Sequence, residues 1–378
     1  MLDDVTLWSY NFTLTITETR VVLMARVHPQ ELRTVLVGYG VGGSVFHAPL
    51  INGLRGIKLH AIVTKNPERQ AAALRRYPSV RVYDDVVRAF DKADCDLAVI
   101  SIPNRYHVDV ANLALRAGLN VVVDKPLAGS AAQARMLFEH ADREGLIITA
   151  YHNRRWDGDF LTVTKLIRDG RLGIVRRFES RFERWRPTVV SDSWKESASV
   201  EDLGGVLYDL GVHLIDQAVC LFGRPSHVYA ELDHRRDKTV VDDDSYVALT
   251  HKNGVRSHLW MSSVASDIGP RFRVLGSEAS YIKNGMDCQA TALQSGETPG
   301  GENWGAEPPA AWGLLGTPES SKRIPTLRGN YQAFYSGIIP AITQGHALPV
   351  AMNDVIDALD VIEAAQRSAQ YNRIEEIG

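Results

Sequence analysis

"RTVLVGYGVGGSVFH", residues 33–47, decides the fold. An apolar, β-branched run ends in glycine, and Gly38, Gly40 and Gly43 then complete a G-x-G-x-x-G string with Tyr39 inside it. The string alone is weak: 30 glycines in 378 residues give about 0.2 such matches per chain by chance. Its setting strengthens it, because a strand precedes it directly and a helical stretch follows. The first glycine makes the tight turn, the second lets backbone approach a diphosphate, and the third lets helix pack on strand. A phosphate then meets unpaired N–H groups and a favourable dipole at the helix N-terminus.

Outward from that turn, "IKLHAIVT", "CDLAVISIP", "LNVVVDKP" and "GLIITAY" read as further strands, separated by helical text such as "NPERQAAALRRY" and "YHVDVANLALRAG", which closes at Gly118. Short apolar strands alternating with helices predict an α/β Rossmann domain over residues 31–150, a parallel sheet with helices on both faces. Past residue 150 the pattern changes. Strand-like segments follow in tandem at 174–190, 226–236, 244–262 and 270–283, with turns at "KNG" and "GSEAS". They predict an α+β domain over 151–350 with a mainly antiparallel sheet. The Gly- and Pro-rich text at 295–317 reads as a long surface loop, and 351–372 has helical periodicity.

A formal charge of −3 gives no reason to expect nucleic acid as partner. No apolar run approaches the roughly 18 residues that span a bilayer, so no membrane partner is expected. Three scattered cysteines, Cys95, Cys220 and Cys288, point to a reducing, cytoplasmic setting and form no metal spacing. In "WSYNFTLTI", Trp8, Tyr10, Phe12, Leu14 and Ile16 alternate with polar residues. Residues 1–30 are therefore an N-terminal extension with two readings, an extra edge strand or text preceding a true start at Met24. No catalytic role is assigned to it.

The strand in "LHAIVTKNPER", residues 59–69, ends in Thr64 and Lys65. An acid at this place would accept hydrogen bonds from two free ribose hydroxyls and repel a 2′-phosphate. Thr64 can donate one hydrogen bond and Lys65 brings positive charge, so NADP(H) is the expected cofactor, with NAD(H) possible. The alternative is that Lys65 is a solvated loop lysine. Lys125 lies just past a parallel strand's carboxyl end, where ligands bind in such sheets, and Pro126 fixes the exit of the chain. Asp209 and His213 share a face if their segment is helical, with Asp216 three residues further on.

Three strings join the glycine turn in order and spacing: "SIPNRYHVDVA" (101–111), "VVVDKPLA" (121–128) and "GGVLYDLGVHLIDQ" (204–217). Together they resemble the Gfo/Idh/MocA family of NAD(P)-dependent oxidoreductases, from about residue 33 to 373. "YHNRRWDGDFLTVTKLI" (151–167), "FERWRP" (182–187) and "YDLGVHLIDQAVCLFGRP" (208–225) look like the branch that holds NADP-dependent scyllo-inositol 2-dehydrogenases. The resemblance implies a Rossmann domain followed by a domain with a large open, mainly antiparallel sheet, used for substrate binding and oligomerisation. It also implies a last helix packed back on the first domain and a homo-oligomer, dimer or tetramer. In the family's Glu-Lys-Pro motif the lysine reaches the nicotinamide and the substrate oxygen. Here the motif reads Asp124-Lys125-Pro126, the acid one methylene shorter. Ser101, Pro103, Asn104 and His107 match the strand end bordering the nicotinamide ribose.

The resemblance makes Lys125, Asp209 and His213 the catalytic group. Oxidising an alcohol requires loss of its hydroxyl proton, and a histidine with an ordinary pKa near 6.5 suits that transfer. Lys125 can stabilise the alkoxide and would lower the pKa of His213, while Asp209 can orient the imidazole or bond a sugar hydroxyl. A buried helix histidine satisfied by the aspartate is the competing reading. No second histidine or cysteine stands at ligand spacing, so no metal is expected. Asn153, Arg154 and Trp156 offer a polyol both directional hydrogen bonds and an apolar wall. Arg155 reads better as a solvated or domain-bridging side chain. Arg186, with Trp185 and Trp194, is a weaker candidate for the same wall. The acids of "VDDDSYVAL" (241–249) read as a solvated turn, and the Tyr331 and Tyr335 pair as packing.

These features predict hydride transfer between nicotinamide and a ring secondary alcohol of a cyclitol or sugar, scyllo-inositol favoured. An aldose or keto-sugar dehydrogenase or reductase is the alternative within the family. A non-catalytic NADPH-binding redox sensor is the alternative of another class. Such a sensor should have lost the lysine or the histidine, and both are present.

Overall fold

The computed structural model describes residues 31–189 and 202–377. The alternating pattern at 8–16 and Trp194 lie outside them. The first half alternates as the sequence predicts: β1 (Leu32–Val37), α1 (Ala48–Asn52), β2 (Ile57–Val63), α2 (Pro67–Arg76), β3 (Arg81–Tyr83), α3 (Val86–Lys92), β4 (Leu97–Ile100), α4 (His107–Arg116), β5 (Asn120–Asp124), α5 (Ala131–Arg143) and β6 (Ile148–Tyr151). All six strands are parallel, in the order β3-β2-β1-β4-β5-β6. β4 is buried at every position and β5 at all but its last, the continuous apolar reading of a strand covered on both faces. The order reverses between β1 and β4, so their carboxyl ends open a crevice at the switch point.

Short polar caps set the helix starts. Asn66, Asp85 and Ser130 accept from the backbone N–H of Arg69, Arg88 and Gln133 at the heads of α2, α3 and α5. Gly118, at φ +76°, ends α4 in the conformation that favours glycine.

The second half opens with α6 (Gly158–Arg168) and β7 (Val175–Glu183), then α7 (Val212–Phe222), β8 (Pro225–Asp233), β9 (Asp244–His251), β10 (Arg256–Ser262), β11 (Phe272–Gly276) and β12 (Ser280–Lys283). It continues through α8 (Gln289–Gln294), β13 (Leu314–Gly316), β14 (Ser321–Arg323), α9 (Gln332–Gln344), α10 (Met352–Tyr371) and β15 (Glu375–Glu376). Its nine strands run β14-β13-β12-β11-β7-β10-β9-β8-β15. Every neighbouring pair is antiparallel except β7 with β10. The "KNG" and "GSEAS" turns join β9 to β10 and β11 to β12.

Two expectations change. The 295–317 text is not loop throughout: its end forms β13, which pairs with β12, and Glu307 within it makes a buried ion pair with Lys283 at 3.2 Å. Two acids of "VDDDSYVAL", Asp242 and Asp243, are not solvated. Asp243 is fully buried against Arg236 at 2.8 Å. Asp242 accepts hydrogen bonds from Leu207 N and Ser245 Oγ, both at 2.8 Å. Hydrogen-bond and ion-pair partners withdraw these two carboxylates from water, which costs little when each is so satisfied.

α10 packs on α5 and β6 of the parallel sheet and on α7 and β8 of the other half. Arg155 ties the same region together, bonding Asp216 through Nε (2.9 Å) and Nη2 (2.6 Å) and Asp354 through Nη1 (2.8 Å).

Candidate functional site

A cleft of about 1130 Å³ runs from the carboxyl ends of β1, β2, β4 and β5 to α7 and β7. At one end lies the glycine turn. Gly38 holds φ +97°, and a Cβ there would fall 2.0 Å from Ser101 O, so only glycine fits. Gly43 packs against the turn itself, its Cβ position 2.0 Å from Gly38 O. Gly40 differs: the nearest atom to an added Cβ is Arg69 Nη1 at 3.7 Å, so the backbone there faces open space in the cleft. That cradle, with Tyr39 and the following helical turn, fits a diphosphate as the sequence requires. Thr64 and Lys65 line the cleft at the end of β2, joined by Arg69 of α2, which the sequence reading missed. Gly42 was missed as well. A Cβ there would stand 2.3 Å from Ser101 Oγ, so this glycine lets the turn meet β4.

Further along, Ser101, Pro103, Asn104, Asp124 and Lys125 line the wall. Asp124 accepts from Lys125 N (2.8 Å) through Oδ1 and from Ser101 Oγ (3.1 Å) through Oδ2. Burial pushes this carboxyl up, yet the His47 imidazole and the Lys125 ammonium beside it hold it well below the usual carboxylate range. His107, expected on this wall, does not line the cleft. It is fully buried, its ring nitrogens facing the carbonyl oxygens of Pro126 (2.7 Å) and Ile102 (2.9 Å), and so it holds the two flanking loops together.

The far end carries the chemistry-bearing groups. Lys125 Nζ donates to Asp209 O at 2.6 Å and to Asp209 Oδ1 at 3.1 Å. Arg184 Nη2 approaches Asp209 Oδ2 at 3.6 Å. Two cations thus hold one carboxylate, with both Lys125 and Asp209 mostly buried. His213, one turn further, lines the same cleft, and its buried Nδ1 has no hydrogen-bond partner. Asp209 therefore does not orient the imidazole through a hydrogen bond. Charge-assisted contacts to the lysine and arginine are stronger than one to a neutral ring, and they take the carboxylate. Burial, the Lys125 ammonium and the Arg154 guanidinium push the His213 imidazole well below its ordinary 6.5, outweighing Asp209, so it is neutral near pH 7.

Local backbone explains how these groups meet. Asp209 rides on a π-helical turn, Leu207–Gly211, and a second such turn, Gly42–His47, follows the glycine string. Wide turns of this kind recur at functional sites. The Asp242 carboxylate caps the first, and Val206 N donates to Asp242 O at 2.9 Å.

Asn153, Arg154 and Arg186 line this end of the cleft, with Phe182 and Arg184. Arg154 is fixed by Asp157 (Nη1–Oδ2 3.1 Å) and lies over the Phe182 ring at 4.6 Å. Tyr331 donates to the other oxygen of Asp157 at 2.6 Å, so this tyrosine both packs and orients a carboxylate. Trp156 is a correction. It does not line the cleft but packs edge-on against Phe334 at 5.7 Å, because the single helical turn Asn153–Trp156 presents Asn153 and Arg154 to the cleft and rotates Trp156 away from it. Trp185 is exposed outside the cleft. Among the described residues no group of three His, Cys, Asp or Glu side chains has metal-holding geometry.

Comparison with known proteins agrees with this geometry. Residues 32–152 match the family described as "Oxidoreductase family, NAD-binding Rossmann fold", and residues 164–376 match its "C-terminal alpha/beta domain". The chain is 33% identical over 356 residues to scyllo-inositol 2-dehydrogenase (NADP(+)) IolW of Bacillus subtilis, covering 93% of this chain and 98% of that protein. It is 37% identical over 345 residues to the oxidoreductase YdgJ of Escherichia coli, covering 90% and 97%. The solved oxidoreductase yvaA of Bacillus subtilis superposes with a TM-score of 0.86 at 32% identity, covering 93% of this chain and 99% of that one. With both halves matched and the parallel sheet, glycine turn and lysine-lined cleft in place, the chain belongs to the Gfo/Idh/MocA family of oxidoreductases.

Proposed function

We propose that this enzyme oxidises a ring secondary alcohol of a cyclitol, scyllo-inositol first, with NADP+, and runs the reverse reduction with NADPH. The observation that carries the reading is the convergence of Lys125, Asp209 and His213 on one cleft that begins at the glycine turn. The residues that would hold the dinucleotide are Gly38, Tyr39 and Gly40 at the diphosphate, Thr64 and Lys65 at the adenosine ribose, and Ser101, Pro103, Asn104 and Asp124 towards the nicotinamide. Bound there, it would supply the hydride acceptor.

The chain's own groups do the rest. Lys125 donates a hydrogen bond to the substrate oxygen and stabilises its negative charge as the proton leaves. Neutral His213 has a free ring lone pair to take that proton. Asp209 fixes the ammonium from the far side and balances its charge. Asn153, Arg154 and Arg186 offer donors to the remaining hydroxyls, and Phe182 an apolar wall. The NADP(H) preference is supported by Lys65 and Arg69 at the end of β2. The cyclitol is supported by the scyllo-inositol dehydrogenase of Bacillus subtilis at 33% identity. Action in the cytoplasm is supported by three free cysteines. Assembly as a dimer or tetramer is supported by half-buried Tyr246, His258 and Trp260 on one face of the nine-stranded sheet.

The test is absorbance at the reduced-nicotinamide band across a panel of inositols and aldoses, with NADP+ and NAD+ in parallel. Turnover of scyllo-inositol with NADP+ well above the other pairs is the expected result. Turnover of an aldose alone moves the substrate to the sugar class. No turnover with any alcohol, despite tight NADPH binding, overturns the enzymatic reading in favour of a redox sensor.

A further inference from the structure

His47 and Tyr335 are buried, lie behind the cleft, and have no part in the chemistry above. His47 ends the turn after the glycine string, and Tyr335 comes from α9. They meet across 288 residues of sequence, with 2.6 Å between Nδ1 and the phenol oxygen. The other ring nitrogen, Nε2, is buried without a hydrogen bond and stands 3.5 Å from Asp124 Oδ2. The Tyr151 ring lies against the imidazole at 4.3 Å and fixes its plane.

The proton positions follow from the partners. The Tyr335 hydroxyl has no other acceptor among the described residues, so its O–H donates to Nδ1. Nδ1 then presents its lone pair, and a ring proton is on Nε2. That N–H faces a carboxylate, which only accepts. Both ends of the ring therefore select the same tautomer. Resting on the reading that a nicotinamide dinucleotide occupies the cleft, we propose that Tyr335 and His47 are positioning residues of the cofactor site: the Tyr335 hydroxyl fixes the Nε2–H form of His47, and that N–H sets the Asp124 carboxylate.

The carboxylate has about four acceptor positions. Lys125 N and Ser101 Oγ take one each, and His47 Nε2 faces Asp124 Oδ2 from behind at 3.5 Å. The remaining capacity is held towards the cleft, where a sugar hydroxyl of the cofactor can use it. Without the imidazole, Asp124 would lose its direction.

Two substitutions of the same residue separate positioning from packing. The amide of His47→Gln reaches the Nε2 position and can still donate to Asp124. The amide of His47→Asn reaches only the Nδ1 position and can still meet Tyr335. Fluorescence titration with NADPH and with NADH gives dissociation constants, initial rates give KM and kcat, and thermal melts report folding. A hydrogen bond to a charged group of ordinary strength makes His47→Asn and Tyr335→Phe weaken NADPH binding about tenfold. The loss is expected in KM for the dinucleotide more than in kcat, with His47→Gln recovering most of the affinity. Nitrogen-15 spectra of the wild-type imidazole are expected to show the proton on Nε2, and Tyr335→Phe to mix the two tautomers.

Equal affinity of the asparagine and glutamine variants, or a proton on Nδ1 in the wild type, overturns the proposal. If His47→Asn fails to fold, Tyr335→Phe and the wild-type spectrum decide it. Wild-type protein that binds neither dinucleotide overturns the cofactor reading, and this proposal with it.

Discussion

Replacing Lys125 by methionine removes a charge while keeping most of the side chain's length. In the native site the ammonium is held on Asp209 by bonds of 2.6 and 3.1 Å and is shielded from water, with 11% of its side chain exposed. Such a preorganised donor, aimed at an oxygen that gains charge, is worth about 10²–10³ in kcat. Asp209 keeps Arg184 at 3.6 Å, so the variant does not strand a lone buried carboxylate and is expected to fold. A second effect has a definite sign. Lys125 is the leading charge that depresses the His213 imidazole, after burial itself. Without it the imidazole moves up towards 6.5. Alcohol oxidation needs the neutral ring, so the acid limb of the kcat/KM profile shifts to higher pH. The assay is NADP+ reduction with the best alcohol of the panel from about pH 5 to 9, alongside NADPH titration to show that the cofactor still binds. A kcat within about threefold of wild type, or an acid limb that stays in place, refutes the assigned role of Lys125.

Other changes test other parts of the cleft. Lys65→Ala is expected to raise KM for NADP+ by about tenfold while leaving NAD+ nearly unaffected, as loss of one charge-assisted contact implies; equal changes for both cofactors remove the 2′-phosphate assignment. Gly42→Ala puts a Cβ 2.3 Å from Ser101 Oγ and is expected to cost about 1–3 kcal/mol in urea unfolding and to weaken dinucleotide binding. A silent result there would mean that the turn and β4 do not meet closely. Buried His107, His152 and His213 all lie below their ordinary 6.5, with burial the main cause. Below that pH the unfolded chain binds protons that the folded chain refuses, so stability falls as pH drops through 6.5, by up to about 1.4 kcal/mol per pH unit for each histidine. Denaturant melts that show stability flat or rising from pH 7 to 5 would contradict this.

The first sheet was legible in the sequence because its physics is local. A glycine turn between an apolar strand and a helix, repeated strand–helix alternation, and a proline after Lys125 all signal through neighbouring residues. Lys125 and His213 were legible for the same reason, each carried by a compact motif. What escaped depends on contacts between distant segments. Asp242 and Asp243 read as solvated because the groups that bury them, Leu207 N and Arg236, are not their sequence neighbours. His47 and Tyr335 meet across most of the chain. His107 and Trp156 failed in another way: each stands within a few residues of true cleft-lining groups, and only the rotation of a short turn sends its side chain to the other side.

The most direct test is a crystal structure of the enzyme with NADP+ and the alcohol that the panel identifies. The expected result has one substrate hydroxyl within hydrogen-bond reach of both Lys125 Nζ and the His213 ring, its carbon facing the nicotinamide. An alcohol seated away from the lysine, or a coenzyme ring turned out of the space between β5 and α7, would contradict it.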